Sequence, residues 1–270
     1  LNTAFAFESA ADELVYIAGA SVSVGLAVSL FPEAGMIVNT IFLALGTTAF
    51  LMQRSTEPKV RPHDSEISQR SAIWLRPVQF ITLALVFVGA TFATAEVSTV
   101  AITKQLGQPG AASLVIGVYA LGSFVVGLII GALNPKMPLQ RQLLVALSVL
   151  VVTALPLLVA STSVALLAFA VFLSGVAISP TFITAFGLIE RRVPEAMLTE
   201  GVTWVMTGIG IGMALGAFVS GWVVDNFGPA NGFWVSVAAS ILALLTVTIG
   251  QASLSGKREA NTGSLAQPAE

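Results

Sequence analysis

The sequence predicts an all-α membrane protein with eight transmembrane helices, two followed by a six-helix bundle with an inverted three-plus-three repeat. Three observations carry this prediction: the composition, the lengths of the apolar runs, and a match between two glycine-bearing runs. Of 270 residues, 56% are hydrophobic and 10% charged, against about 25% charged in an ordinary soluble chain. The mean hydropathy is +0.90. A chain so poor in charge cannot cover its own surface in water, so the lipid bilayer is its first partner. The net charge of -2 argues against a nucleic-acid role, because phosphate binding needs clustered Lys and Arg. The absence of cysteine excludes disulfides, thiolate metal sites and a cysteine nucleophile.

A spanning helix needs about 20 mostly apolar residues. Eight runs meet this, at 14–31, 34–52, 77–103, 112–133, 142–160, 163–187, 200–224 and 233–251. Pro32, Pro109, Pro135, Pro138 and Pro229 fall between them, where helices stop or start. Pro156 and Pro180 fall inside runs and are expected to kink them. Asp225-Asn226, followed by Phe227-Gly228, reads as a tight turn. No segment alternates as a membrane β-strand would, and helices satisfy every backbone group internally.

Eleven of the twelve Lys and Arg residues fall on one side of this arrangement, in 53–76, after the fourth and sixth spans, and in the tail; Lys104 is the exception. The positive-inside rule makes that side cytoplasmic. With an even number of spans, both termini are cytoplasmic. Residues 53–76 form the only long polar stretch between spans, a cytoplasmic linker ending near Ile73-Trp74-Leu75, with Trp74 at the headgroup level. The single His63 lies in it and reads as a solvated side chain. The tail 253–270, rich in Ser, Gly, Ala and Glu, reads as disordered.

Residues 120–135, ALGSFVVGLIIGALNP, match 214–229, ALGAFVSGWVVDNFGP, at seven positions that include Gly122/Gly216 and Gly127/Gly221. The offset spans three helices, so the copies cross the membrane in opposite directions, as an inverted repeat requires. Gly208, Gly212 and Gly216 recur every four residues, as do Gly127 and Gly131. Together with Gly122 and Gly221 they are expected to form helix faces where a neighbouring backbone approaches closely.

Two helices, a charged linker and six helices built as an inverted repeat resemble the C-terminal two-thirds of a major facilitator superfamily transporter, over residues 10–252. The segment ESAADELVYIAGASVSVG (8–25) resembles the entry to the fifth helix in bacterial members, although Gly19 is followed by Ala20 where some exporters carry Gly-Pro. The segment GALNPKMPLQRQ (131–142) echoes the family's signature loop, with Gly131, Lys136 and Arg141 in place and Asn134 about where an acid often sits. The resemblance implies that the spans are helices five to twelve. Residues 1–52 would then be the last two helices of the N-terminal bundle, 53–76 the linker and 77–252 the C-terminal bundle. Four N-terminal helices would be missing, in keeping with a start at Leu1. The helix resembling the eleventh would lose the second helix as its partner, leaving the Gly208–Gly221 face uncovered. The implied function is secondary transport of a small-molecule substrate in a bacterial inner membrane.

Glu96 is the only acid deep within an apolar run, roughly 28 Å along a helix of about 40 Å. It is either a proton carrier or substrate contact, or an acid hydrated at the exoplasmic interface. Thr91, Thr94, Ser98 and Thr99 share its helix, so that helix is not expected to face lipid. The resemblance places Ser179, Thr181 and Thr184 near the central cavity. The alternative is that these hydroxyls repair hydrogen bonds freed at Pro180. Tyr119, Asn39 and Trp204 are further candidates. No catalytic constellation is present, because no span holds His, no pair of spans carries Asp, and His and Cys ligands for a metal are lacking. No cofactor is called for. The second reading of the chain is a non-transporting membrane scaffold or assembly subunit.

Overall fold

The structure is a computed structural model that describes residues 33–54, 71–133 and 137–255, with isolated positions between 11 and 31. Every regular element among the described residues is helical. The helices are α1 (Ala34–Met52), α2 (Arg76–Gln105), α3 (Ala111–Leu133), α4 (Leu139–Ala154), α5 (Val164–Gly175), α6 (Ile178–Arg192), α7 (Leu198–Phe227) and α8 (Phe233–Ser255). With α4 extended by a 3-10 segment and α5 continued by α6, they make 7 spans long and apolar enough to cross a membrane. The eighth expected run, 14–31, lies largely outside the described residues. So do most of the linker with His63, Asn134 and Lys136 of the signature echo, and the tail.

Prolines decide where the spans bend. α4 loses its α-helical winding at Ala154 and continues as the 3-10 segment Leu155–Thr162, with Pro156 in its first turn. Pro180 has no N–H to offer the carbonyl of Val176, and its ring crowds that carbonyl. The chain accordingly turns at Val176-Ala177 between α5 and α6, and the ladder resumes with Thr181 N–H on the Ala177 carbonyl at 3.2 Å. The turn expected over residues 225–228 forms at its last residue. α7 runs through Asp225 and Asn226 to Phe227, and the chain reverses at Gly228, whose φ of 93° favours glycine. Asn226 instead donates its side-chain amide to the Trp222 carbonyl at 2.8 Å.

Packing centres on α2, which lies chiefly against α7 and α8, while α3 lies on α5 and α4 lies on α8 and α6. The core between them is built from residues such as Ile81, Leu85, Leu147, Leu150 and Val247, all buried. The outward faces carry Phe169, Phe218, Trp222, Trp234 and Ile249 in the open, a surface suited to hydrocarbon and not to water. Among the described residues of α1, only Ala34 and Gly35 are buried. Its polar contact is with the preceding segment, where Asn39 donates to the Ser23 hydroxyl at 3.4 Å.

The glycine groove of α7 is occupied. A β-carbon at Gly208 would come within 2.8 Å of the Thr82 side chain, one at Gly212 would overlap the Val86 carbonyl, and one at Gly216 would lie 2.5 Å from Ala90 Cα. This corrects the expectation of an uncovered face. Thr82, Val86 and Ala90 repeat every four residues on α2, so its backbone fits the groove along three turns. The side of α7 that stays open carries Thr203, Thr207, Gly210 and Ala214, all exposed. Gly221 is half-buried with nothing within 4 Å of an added β-carbon. On α3, Gly122 abuts the Phe172 carbonyl and Gly127 the Ser179 side chain, while Gly175 of α5 abuts the Tyr119 carbonyl. Gly131 is half-buried.

Candidate functional site

The polar side chains of α2 divide between two faces. Thr91 and Ser98 point toward α7 and α8. The Thr91 hydroxyl donates to the Phe87 carbonyl at 3.1 Å and lies 3.5 Å from the Ser236 carbonyl of α8. Ser98 Oγ meets Ser220 Oγ of α7 at 3.2 Å, beside Gly232, where a β-carbon would strike the Ser98 hydroxyl and lie 3.3 Å from that of Ser220. Phe92, Glu96, Thr99 and Thr103 follow one another at spacings of three and four, on a common stripe. Phe92 packs against Tyr119 of α3 with ring centroids 5.3 Å apart and the planes tilted by 60°, so that stripe lies on the α3 side.

Glu96 is half-buried. Thr94 and Thr99, within one turn on either side of it, are both 0% exposed. Their hydroxyls have no hydrogen-bond partner in the protein. Leaving a buried hydroxyl unpaired costs about 1–3 kcal/mol, so both are suited to meet a water or a bound solute. Tyr119 is buried at 2% exposure.

Ser179, Thr181 and Thr184 are also buried, but Thr181 and Thr184 are engaged locally. Thr181 Oγ1 donates to the Ala177 carbonyl at 2.7 Å. Thr184 Oγ1 donates to the Pro180 carbonyl at 2.7 Å and lies 3.1 Å from that of Thr181. These hydroxyls reinforce the first turns after the break, the reading under which they repair the backbone around Pro180. Ser179 sits against Gly127. The structure therefore joins Glu96 and Thr99 on one stripe of α2, with Tyr119 of α3 against Phe92 one turn before Glu96, and leaves Thr94 on the face of Thr91 and Ser98. It leaves Thr181 and Thr184 bonded within α6.

Two polar contacts escaped the sequence reading. One is the Ser98–Ser220 pair, whose second member has no local signal. The other is Glu200, in the first turn of α7, which accepts hydrogen bonds from Ser71 Oγ and, at 3.0 Å, from Ala72 N–H. Trp204 Nε1 donates to the same carboxylate at 3.2 Å. An acid in the first turn of a helix complements the dipole, and that signal was available; the identity of its partners was not.

Apolar spans, a surface fit for lipid and a sheltered polar helix define a multi-pass helical membrane protein. A family profile for the Major Facilitator Superfamily matches residues 1–167 and again 80–267, and the chain belongs to that family. The "Uncharacterized MFS-type transporter Rv1877" of Mycobacterium tuberculosis (strain ATCC 25618 / H37Rv) is 32% identical over 181 residues, which cover 64% of this chain and 26% of the relative. The "Uncharacterized MFS-type transporter MT1926" of strain CDC 1551 / Oshkosh aligns with the same figures, 32% over 181 residues. The aligned stretch thus spans about a quarter (26%) of the length of these curated relatives.

Proposed function

We propose that this chain is part of a secondary active transporter that moves a small solute by alternating access, coupled to protons through Glu96. The observation that carries the reading is Glu96, half-buried within a span and one turn from Thr99, a buried hydroxyl without a protein partner. An ionisable group within a span is expensive and is by default a candidate for a proton or substrate path. Family membership and the names of both relatives favour transport over a scaffold role.

Residues 77–252 then form the C-terminal bundle, 53–76 the cytoplasmic linker and 1–52 the end of the N-terminal bundle, with both termini cytoplasmic in a bacterial inner membrane. The packing supports an inverted repeat within 77–252. Exchanging each of the first three spans with its counterpart three spans later turns the α3–α5 contact into the α7–α2 contact and the α2–α8 contact into the α6–α4 contact. Both members of each pair are substantial contacts. The remainder of a family fold would meet this chain on the open side of α7, along Thr203, Thr207, Gly210 and Ala214.

The test is proton movement into vesicles holding the full-length protein, followed with a pH-sensitive dye as small solutes are added. A solute that moves protons with the native protein and not with Glu96→Gln supports the reading. Equal proton movement in both would remove Glu96 from the coupling path.

A further inference from the structure

We infer that Glu200 is the anchor that fastens the end of the linker to the six-helix bundle. Three donors converge on one carboxylate. Ser71 Oγ and Ala72 N–H arrive from the segment preceding α2, and Trp204 Nε1 from one turn further along α7. The two linker residues lie 129 and 128 positions from Glu200 in sequence. The contact is therefore tertiary and closes no local turn.

The carboxylate does for the 3-10 turn Ala72–Trp74 what a capping side chain does for a helix. Its N-cap residue, Ser71, makes no side-chain cap bond of its own. The Ala72 N–H is one of the orphan donors at that start, and Glu200 accepts it from across the helix pair. Ala72 is 0% exposed, whereas Trp74, two residues on, is 73% exposed. The chain is thus seated on the bundle at Ala72 before it presents Trp74 outward. Hydrogen bonds to an ionised acceptor are about twice as strong as neutral ones.

The anchor completes a pair of helices tied at both ends. Between the ties, Gly208, Gly212 and Gly216 hold α7 against Thr82, Val86 and Ala90. At the far end, Ser98 meets Ser220. A force along the linker is therefore delivered to α2 and α7 together.

Tryptic cleavage tests the anchor. A protease must draw Ser71 and Ala72 into an extended strand to cut after Arg70, and the anchor opposes this. Lys59, within the same linker, supplies an internal reference site. The rate of cutting after Arg70 relative to Lys59, in purified protein in nanodiscs, is expected to rise about fivefold or more with Glu200→Ala. It should rise less with Ser71→Ala or Glu200→Gln, which remove one bond or the charge. Should Glu200→Ala unfold the chain, exposing Arg191 and Arg192 to cutting as well, the two milder variants decide. A ratio unchanged from the native protein in both of them would overturn the anchor.

Discussion

Gly212 of α7 lies against the main-chain carbonyl of Val86 of α2 so closely that a β-carbon at position 212 would overlap it. In lipid the two helices gain nothing from burying apolar surface against each other. Their association rests on contact of this kind. The same helix carries a control, because an added β-carbon at Gly210 would meet nothing within 4 Å.

Gly212→Ala should therefore push α2 and α7 apart and destabilise the bundle by about 1–3 kcal/mol, the usual cost of overpacking. Gly210→Ala should leave stability unchanged or raise it by up to about 1 kcal/mol through helix propensity. Thermal unfolding in detergent, followed by loss of the monodisperse peak, separates the two. Equal losses at both positions would contradict the packing assigned to Gly212.

Ser98 and Ser220 form the polar contact at the opposite end of that helix pair, 3.2 Å apart and both 0% exposed. Removing one hydroxyl leaves the other buried without its partner. Each single change to Ala is expected to cost about 1 kcal/mol. Interhelical bonds in membrane proteins average about 0.6 kcal/mol in double-mutant cycles, so a coupling near that value is expected for this pair. Strict additivity of Ser98→Ala and Ser220→Ala would mean that the two hydroxyls do not interact.

How much of this was legible in the sequence depends on the range of the interaction. Seven of the eight expected runs match helical spans, because length and apolar content are local properties. Pro180 marked the right span for a break, and the position of the break followed from the carbonyl it leaves unpaired at Val176. The spacing of Gly208, Gly212 and Gly216 announced a groove but not its occupant. Thr82, Val86 and Ala90 are ordinary residues for a membrane helix and carry no sign that they fill it. The turn expected over residues 225–228 forms at its glycine end, because Asp225 and Asn226 favour turns but also tolerate the last turn of a helix. Ser220 and Glu200 meet partners more than 120 residues away, beyond anything that spacing can convey. At the candidate site, Glu96 stood out as a lone acid. The difference between Thr94 and Thr184 did not, since a sequence does not say which hydroxyl finds a nearby carbonyl.

That difference yields the prediction that most directly divides site from scaffold. Thr184 donates to backbone carbonyls of its own helix, whereas the Thr94 and Thr99 hydroxyls are buried without a partner. Valine keeps the shape of threonine and removes the hydroxyl. Thr184→Val loses a local bond and leaves the Pro180 carbonyl less well satisfied, so it should lower stability by about 1 kcal/mol and leave transport intact. Thr94→Val and Thr99→Val remove groups that cost free energy when unpaired, so they should leave stability unchanged or higher. If the Thr99 hydroxyl holds water or solute beside Glu96, Thr99→Val should reduce solute-driven proton movement severalfold, and Thr94→Val, on the opposite face, should not. A stable Thr99→Val protein with full transport would place the substrate path away from the Glu96 face of α2. A stable protein that no longer transports would separate the site from the packing that surrounds it.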